Sequence, residues 1–161
     1  MALAHLLVGL NGAGKSTLAR SIVKRDGAVR LSLDASMRQL HPELAYDDPA
    51  YGPIADRCRA LLWGLAREHL DRGVDVVLDW NQWSRARRAQ WRDAVLTAGH
   101  IPVLHHVRTG LEESVQRARV RAAHGDPESH PLDEAEQRRF ATSFEPPGDA
   151  DVEGMRVVVH G

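Results

Sequence analysis

The tightest constraint on this chain lies near its start. Gly9-Leu10-Asn11-Gly12-Ala13-Gly14-Lys15-Ser16 fills every fixed position of the spacing G-x-x-x-x-G-K-[ST]. The apolar run Leu3–Val8 before it is short enough for a buried strand, and Leu18, Ala19 and Ile22 after it recur at helical spacing. Strand, glycine turn and helix in that order have a physical purpose. Successive backbone N–H groups curl around phosphate oxygens, where a bulky Cβ would block the approach. The helix that follows aims its dipole and its free N-terminal donors at the same anion. Gly9, Asn11, Gly12, Ala13, Gly14, Lys15, Ser16 and Thr17 are therefore the expected nucleotide-binding residues. Lys15 would bridge the β- and γ-phosphates, and Ser16 would ligate Mg²⁺. A plain glycine-rich turn is the alternative, but a full chance match somewhere in such a chain is on the order of one per cent.

Apolar β-type runs alternate with helical patterns along the rest of the chain, which argues an α/β fold with a mostly parallel sheet. After a helix from Lys15 to about Arg25, Ala28–Leu33 reads as the second strand. The polar stretch holding His41-Pro42 and Asp47-Asp48-Pro49 cannot be one regular element. A helix from about Pro53 is expected to bury Ile54, Cys58, Leu61, Leu62 and Leu65, and Gly73 closes it. Val74–Leu78 is the third strand, then a helix runs from Ser84 to Ala98, and Ile101–Val107 is the fourth strand. Thr109-x-x-Glu112 reads as a capping box opening a helix to about Ala123, with Leu111, Val115, Ala118 and Ala122 as its buried stripe. Gly125 to Pro131 breaks the chain; a last helix carries Phe140 and Phe144 one turn apart, and Met155–His160 closes the sheet. The expected whole is one domain over residues 1–161, with five strands and no internal repeat.

Ligands of open α/β sheets bind outside the carboxyl ends of the strands. Three strands besides the first end there in a charge: Asp34, Asp79 and Arg108. Asp79 closes the run Val76-Val77-Leu78, the form of a Walker-B acid that holds Mg²⁺ through water. Phosphoryl transfer depends on positioning and charge compensation, so arginines matter as much as acids. Arg117, Arg121 and His124 share one face of the helix that feeds the glycine-rich break, an arrangement suited to a lid. Trp80 and Trp83 flank Asn81 at a strand end, where an indole could stack on a substrate ring or pack under the loop. Trp63 and Trp91 fall on helices as core residues, and the adjacent His105 and His106 point to opposite sides of a strand, so they form no metal pair.

These residues resemble the small P-loop kinases, and most closely the kinase domain of polynucleotide kinases, with chloramphenicol phosphotransferase, gluconate kinase and zeta-toxin kinases as wider relatives. The likeness rests on the Gly9–Ser16 loop, Asp34 with Arg38, Asp79-Trp80-Asn81 followed by Arg87-Arg88, and Arg117 with Arg121. It implies a single P-loop NTPase domain with helices on both faces of a five-stranded sheet and a helical lid. It implies Asp34 as base on an acceptor hydroxyl, Lys15 and Arg121 on the transferring phosphoryl, and Arg117 near the nucleotide. In polynucleotide kinases an arginine shortly after the base holds the acceptor's phosphate; Arg38 stands one turn after Asp34, a different interval. Arg38, Trp80, Asn81 and Trp83 are the expected acceptor-side residues, and Ser16 and Asp79 the metal ligands.

Composition limits what such a site serves. A net charge of -1 gives no global attraction to nucleic acid, and the single cysteine, Cys58, leaves no internal disulfide. No signal peptide or membrane span is evident, so a soluble cytoplasmic protein is expected, as a monomer or small homo-oligomer. The leading expectation is an ATP- and Mg²⁺-dependent kinase acting on a hydroxyl of a small-molecule or nucleotide-like acceptor. A polynucleotide 5′-hydroxyl kinase and a non-catalytic nucleotide switch are the alternatives, and only the switch has no need of Asp34.

Overall fold

The computed structural model describes residues 1–128 and 132–161, so the end of the expected 125–131 break lies outside the described residues. The strands are β1 (Leu3–Val8), β2 (Val29–Ser32), β3 (Val76–Asp79), β4 (Ile101–Val107) and β5 (Arg156–His160). The helices are α1 (Lys15–Asp26), α2 (Leu33–Leu40), α3 (Tyr51–Asp71), α4 (Arg85–Thr97), α5 (Leu111–Ala123), α6 (Glu134–Thr142) and the short α7 (Asp149–Val152). The five strands form one sheet in the order β2-β3-β1-β4-β5, and every neighbouring pair is parallel. Strands covered on both faces read as unbroken apolar runs rather than alternating ones, which is why Leu3–Val8 and Val76–Leu78 were legible. One face packs Ala4, Leu6, Val76, Leu78 and Leu104 against α2, α3 and α4; the other sets Leu7 and Val77 against Ala19 and Ile22 of α1. No helix among the described residues is long and apolar enough to cross a membrane.

Several local expectations need correction. The second strand stops at Ser32, whose Oγ accepts the N–H of Ala35 at 3.2 Å and caps α2, a helix the polar composition concealed. The buried stripe of α3 is rotated from the expected one: Tyr51, Ala55, Cys58, Leu62, Ala66 and Leu70 face the sheet, while Leu61 is 62% exposed and Leu65 lies outside. Small Ala55 and Ala66 let the helix lie close to the strands, and a periodicity count that favours leucine overlooks them. Thr109 forms no capping box; its Oγ1 donates to Ala13 O at 3.3 Å, and Gly110 is the N-cap of α5. On α5 the buried residues are Ser114, Val115 and Ala118, with Leu111 and Ala122 exposed. Phe144 lies beyond the end of α6 but packs against the core from there.

Candidate active site

The phosphate loop is shaped by two close approaches. A Cβ on Gly9 would stand 2.6 Å from Val107 O. Gly12 has φ +84, and a Cβ there would meet Ser114 O at 2.2 Å and Ala118 N at 3.1 Å. The backbone of α5 therefore packs directly on the loop, which explains why its buried face centres on Ser114 and Ala118. Lys15 Nζ donates to Gly9 O at 2.8 Å and Leu10 O at 2.7 Å. Burial lowers its pKa to about 8, with Arg121 pushing the same way and Asp79 and Asp34 opposing.

The sheet register sets Ser32 beside Asp79 at the carboxyl edge, and the α2 cap then places Asp34 in the first turn of that helix. Asp34 and Asp79 consequently line one cleft with Lys15, Ser16 and Arg121. Asp34 is accessible through the mouth of the cleft, yet the protein around it displaces most of its hydration. That desolvation, reinforced by the Asp79 charge, raises its pKa to about 6 against the pull of Lys15, Arg121 and Arg30. Arg121 Nη2 donates to Asn11 Oδ1 at 2.8 Å, which ties α5 to the loop.

Asp79 carries a partner the sequence did not suggest. Arg30 of β2 donates to its Oδ2 at 2.7 Å and also to Glu128 Oε2 at 2.9 Å, and Arg20 reaches the same Glu128 oxygen at 3.0 Å. An arginine inside a short strand run was the available signal. Asp79 Oδ1 takes no hydrogen bond among the described residues. A hydroxyl and two mutually repelling carboxylates supply hard oxygen donors, so Ser16 and Asp79 fit a magnesium ion.

The remaining expected residues divide. Asn81 and Trp83 line the cleft; Asn81 Oδ1 accepts Trp83 N at 2.7 Å, and Trp83 Nε1 donates to Gly9 O at 3.2 Å. Trp80 touches the cleft floor, but its indole is buried in the core 5.0 Å from Trp91. Arg38 stands one turn further along α2 and is not among the cleft walls. Arg117 also lies outside them, paired with Glu113 and donating to Ala13 O of the loop at 3.5 Å. Arg108 extends β4 pairing through its backbone N–H to His160 O at 2.7 Å. Arg87, noted in the sequence only as part of the resemblance, also lines the cleft, together with Arg59, Tyr46 and Tyr51, which the sequence did not single out.

A family model described as AAA domain matches residues 5–147. No curated protein matches the sequence. Among solved structures, a provisionally assigned kinase from Chloroflexus aurantiacus superposes with TM-score 0.77 at 18% identity, covering 99% of this chain and 87% of that one. The Kti12 protein of Chaetomium thermophilum, solved with ADP-AlF3, gives 0.70 at 20% identity over 97% of this chain and 88% of that one. A chain of the Pnkp1/Rnl/Hen1 RNA repair complex gives 0.73 at 20% identity, over 88% of this chain but only 43% of that one. At such identities the likeness establishes the fold alone.

Proposed function

Because the chain belongs to the AAA domain family, and its loop lysine and a carboxylate of raised pKa face one cleft, we propose that it is an ATP- and Mg²⁺-dependent phosphotransferase acting on an alcohol. The observation that carries this reading is Asp34. A nucleotide switch needs the loop and the metal ligands, but it has no use for a second, partly desolvated acid beside them. Asp34 takes the proton of the acceptor hydroxyl as that oxygen forms its bond to the γ-phosphorus. The bond from the γ-phosphorus to the bridging oxygen breaks, and the electron pair leaves on ADP. Lys15 and Arg121 face the charge that spreads over the transferring group, and Asn11 holds the Arg121 guanidinium in place. Ser16 and Asp79 are the residues that would hold Mg²⁺, which would supply positive charge against the phosphate oxygens. Arg117 serves the nucleotide from beside the loop.

The test uses purified protein, γ-labelled ATP and a panel of sugars, nucleosides, antibiotics and 5′-hydroxyl oligonucleotides. Transfer to one class is the expected result. Asp34→Asn should keep ATP affinity and lose roughly 10²–10⁴ in kcat, and Lys15→Ala should abolish transfer with the circular dichroism spectrum intact. Wild-type turnover in Asp34→Asn would remove Asp34 as the base. ATP binding without transfer to any acceptor would favour the switch.

A further inference from the structure

Two arginines from α3 and α4 line the cleft, and the carboxylate nearest them faces solvent. Arg59 sits on the sheet-facing stripe of α3 and is 9% exposed. Among the described residues its carboxylate partner is Asp56, 2.6 Å from Nη1, but the Asp56 side chain is 71% exposed, and Arg59 Nε is buried with no hydrogen bond to a described residue. A buried guanidinium sharing a solvent-facing acid is poorly compensated. Arg87 is half-buried and has no side-chain hydrogen bond or ion pair among the described residues. Arg87 lies in the first turn of α4 with Arg85 and Arg88 and no acid; the carboxylate that meets the positive end of this helix is Glu145, which accepts the Arg85 backbone N–H at 2.7 Å and leaves the Arg87 guanidinium unpaired among the described residues. Arg85 is exposed to water and Arg88 is paired with Asp151, whereas Arg87 is offset only at a distance, by Tyr46 and by the solvent-facing Asp56 that also pairs with Arg59. Loss of hydration and the neighbouring Arg59 both depress its pKa, which places the two guanidiniums in repulsive range. Tyr46 and Tyr51 lie within the electrostatic reach of both Arg59 and Asp34, and all line the same cleft.

We propose that Arg59 and Arg87 form an anion subsite that takes the phosphate or carboxylate of a small acceptor while its hydroxyl lies against Asp34, with Tyr46 and Tyr51 walling the space between. This rests on the kinase reading. It assigns the acceptor to hydroxyl compounds that already carry an oxyanion, and it moves acceptor recognition from Arg38, which stands outside the cleft walls, to residues of α3 and α4. The planar guanidiniums suit bidentate contact with either oxyanion.

The experiment saturates the nucleotide site with a non-hydrolysable ATP analogue and Mg²⁺, so that added anions cannot occupy the phosphate loop. Calorimetric titrations then compare matched probes: glucose, gluconate and glucose 6-phosphate, and adenosine with adenosine 3′-monophosphate. At least one anionic probe should bind saturably where its neutral counterpart does not, and its chemistry separates carboxylate from phosphate. Arg87→Gln should weaken that binding about ten- to a hundredfold, with part recovered in Arg87→Lys and the affinity for the analogue retained. Arg59→Gln should act likewise; if that variant does not fold, the Arg87 variants still decide the matter. No saturable binding by any anionic probe, or equal binding by wild type and Arg87→Gln, overturns the subsite. Transfer assays with the same panel keep the two readings apart. Transfer to a neutral acceptor, insensitive to Arg87→Gln, would uphold the kinase and overturn the subsite. Arginine-dependent anion binding with no transfer to any acceptor would uphold the subsite and count against the kinase.

Discussion

Asp34 and Lys15 face each other across the cleft with their pKa values drawn toward neutrality from opposite sides, to about 6 and about 8. The base works deprotonated and the lysine works protonated, so kcat/KM for ATP should rise through about pH 6 and fall through about pH 8. Asp79 contributes to the upward shift of Asp34, whereas Arg30 and Lys15 oppose it. Asp79→Asn removes a negative charge and releases Arg30, and both changes favour the ionised form of Asp34. The acidic limb of the profile should therefore move to lower pH in Asp79→Asn, even as dependence on Mg²⁺ weakens. An unmoved limb would mean that another group titrates there. Of these residues, Lys15, Asp34 and Asp79 were legible because the loop spacing and strand ends mark them. Arg30 was not: its partner lies on a neighbouring strand, and register is a tertiary fact.

Among the elements, the α4 N-terminus shows how adjacent identical residues divide their roles. Arg87 points into the cleft, while Arg88 is 0% exposed and donates through Nε to Asp151 Oδ2 at 2.5 Å and through Nη1 to Gln82 O at 2.8 Å. Arg88 thereby fastens α4 to α7 and fixes the Gln82–Ser84 loop that carries Trp83 to the cleft. Removing one member of a buried pair leaves the other charge uncompensated, so Arg88→Met should cost about 3–5 kcal/mol. Urea denaturation measures that loss; Arg87→Gln should not lower the midpoint. Equal effects from the two substitutions would contradict the division. Helical periodicity alone could not separate these neighbours, since the sequence does not reveal which one meets the distant Asp151. The rotation of α3 follows the same logic. Tyr51, Ala55, Arg59 and Leu62 share a stripe, and an arginine among them was the one signal that this face reaches a polar cleft.

At the scale of the molecule, two sets of titratable groups stand at different places on the sheet, and their effects on stability oppose each other. Asp34 and Asp79 stand at the carboxyl edge, while His5, His105 and His160 form a hydrogen-bonded row across β1, β4 and β5, with links of 2.9 and 3.0 Å. Burial, with the neighbouring His5 and His160, lowers His105 from 6.5 to about 4, and burial lowers His5 as well. Between those values the unfolded chain binds protons that the folded histidines refuse, so stability falls as pH drops through the window. Asp34 acts in reverse: its folded pKa of about 6 exceeds the ordinary 3.8, so the folded state binds the extra proton and gains stability as pH falls from about 6 toward 4. Above pH 6 the ionised, desolvated Asp34 is a standing cost that the active site imposes on the fold. Asp34→Asn removes both the cost and the opposing slope. The variant should melt higher than wild type at pH 7.5, by about 2–4 °C for each kcal/mol relieved, and lose stability more steeply between pH 6.5 and 4.5. Thermal melts across that range, read by circular dichroism, test both parts. A variant that melts lower at pH 7.5, or whose midpoint stays flat down to pH 4.5, would show that Asp34 is not strained by its site or that the histidine row does not resist protonation.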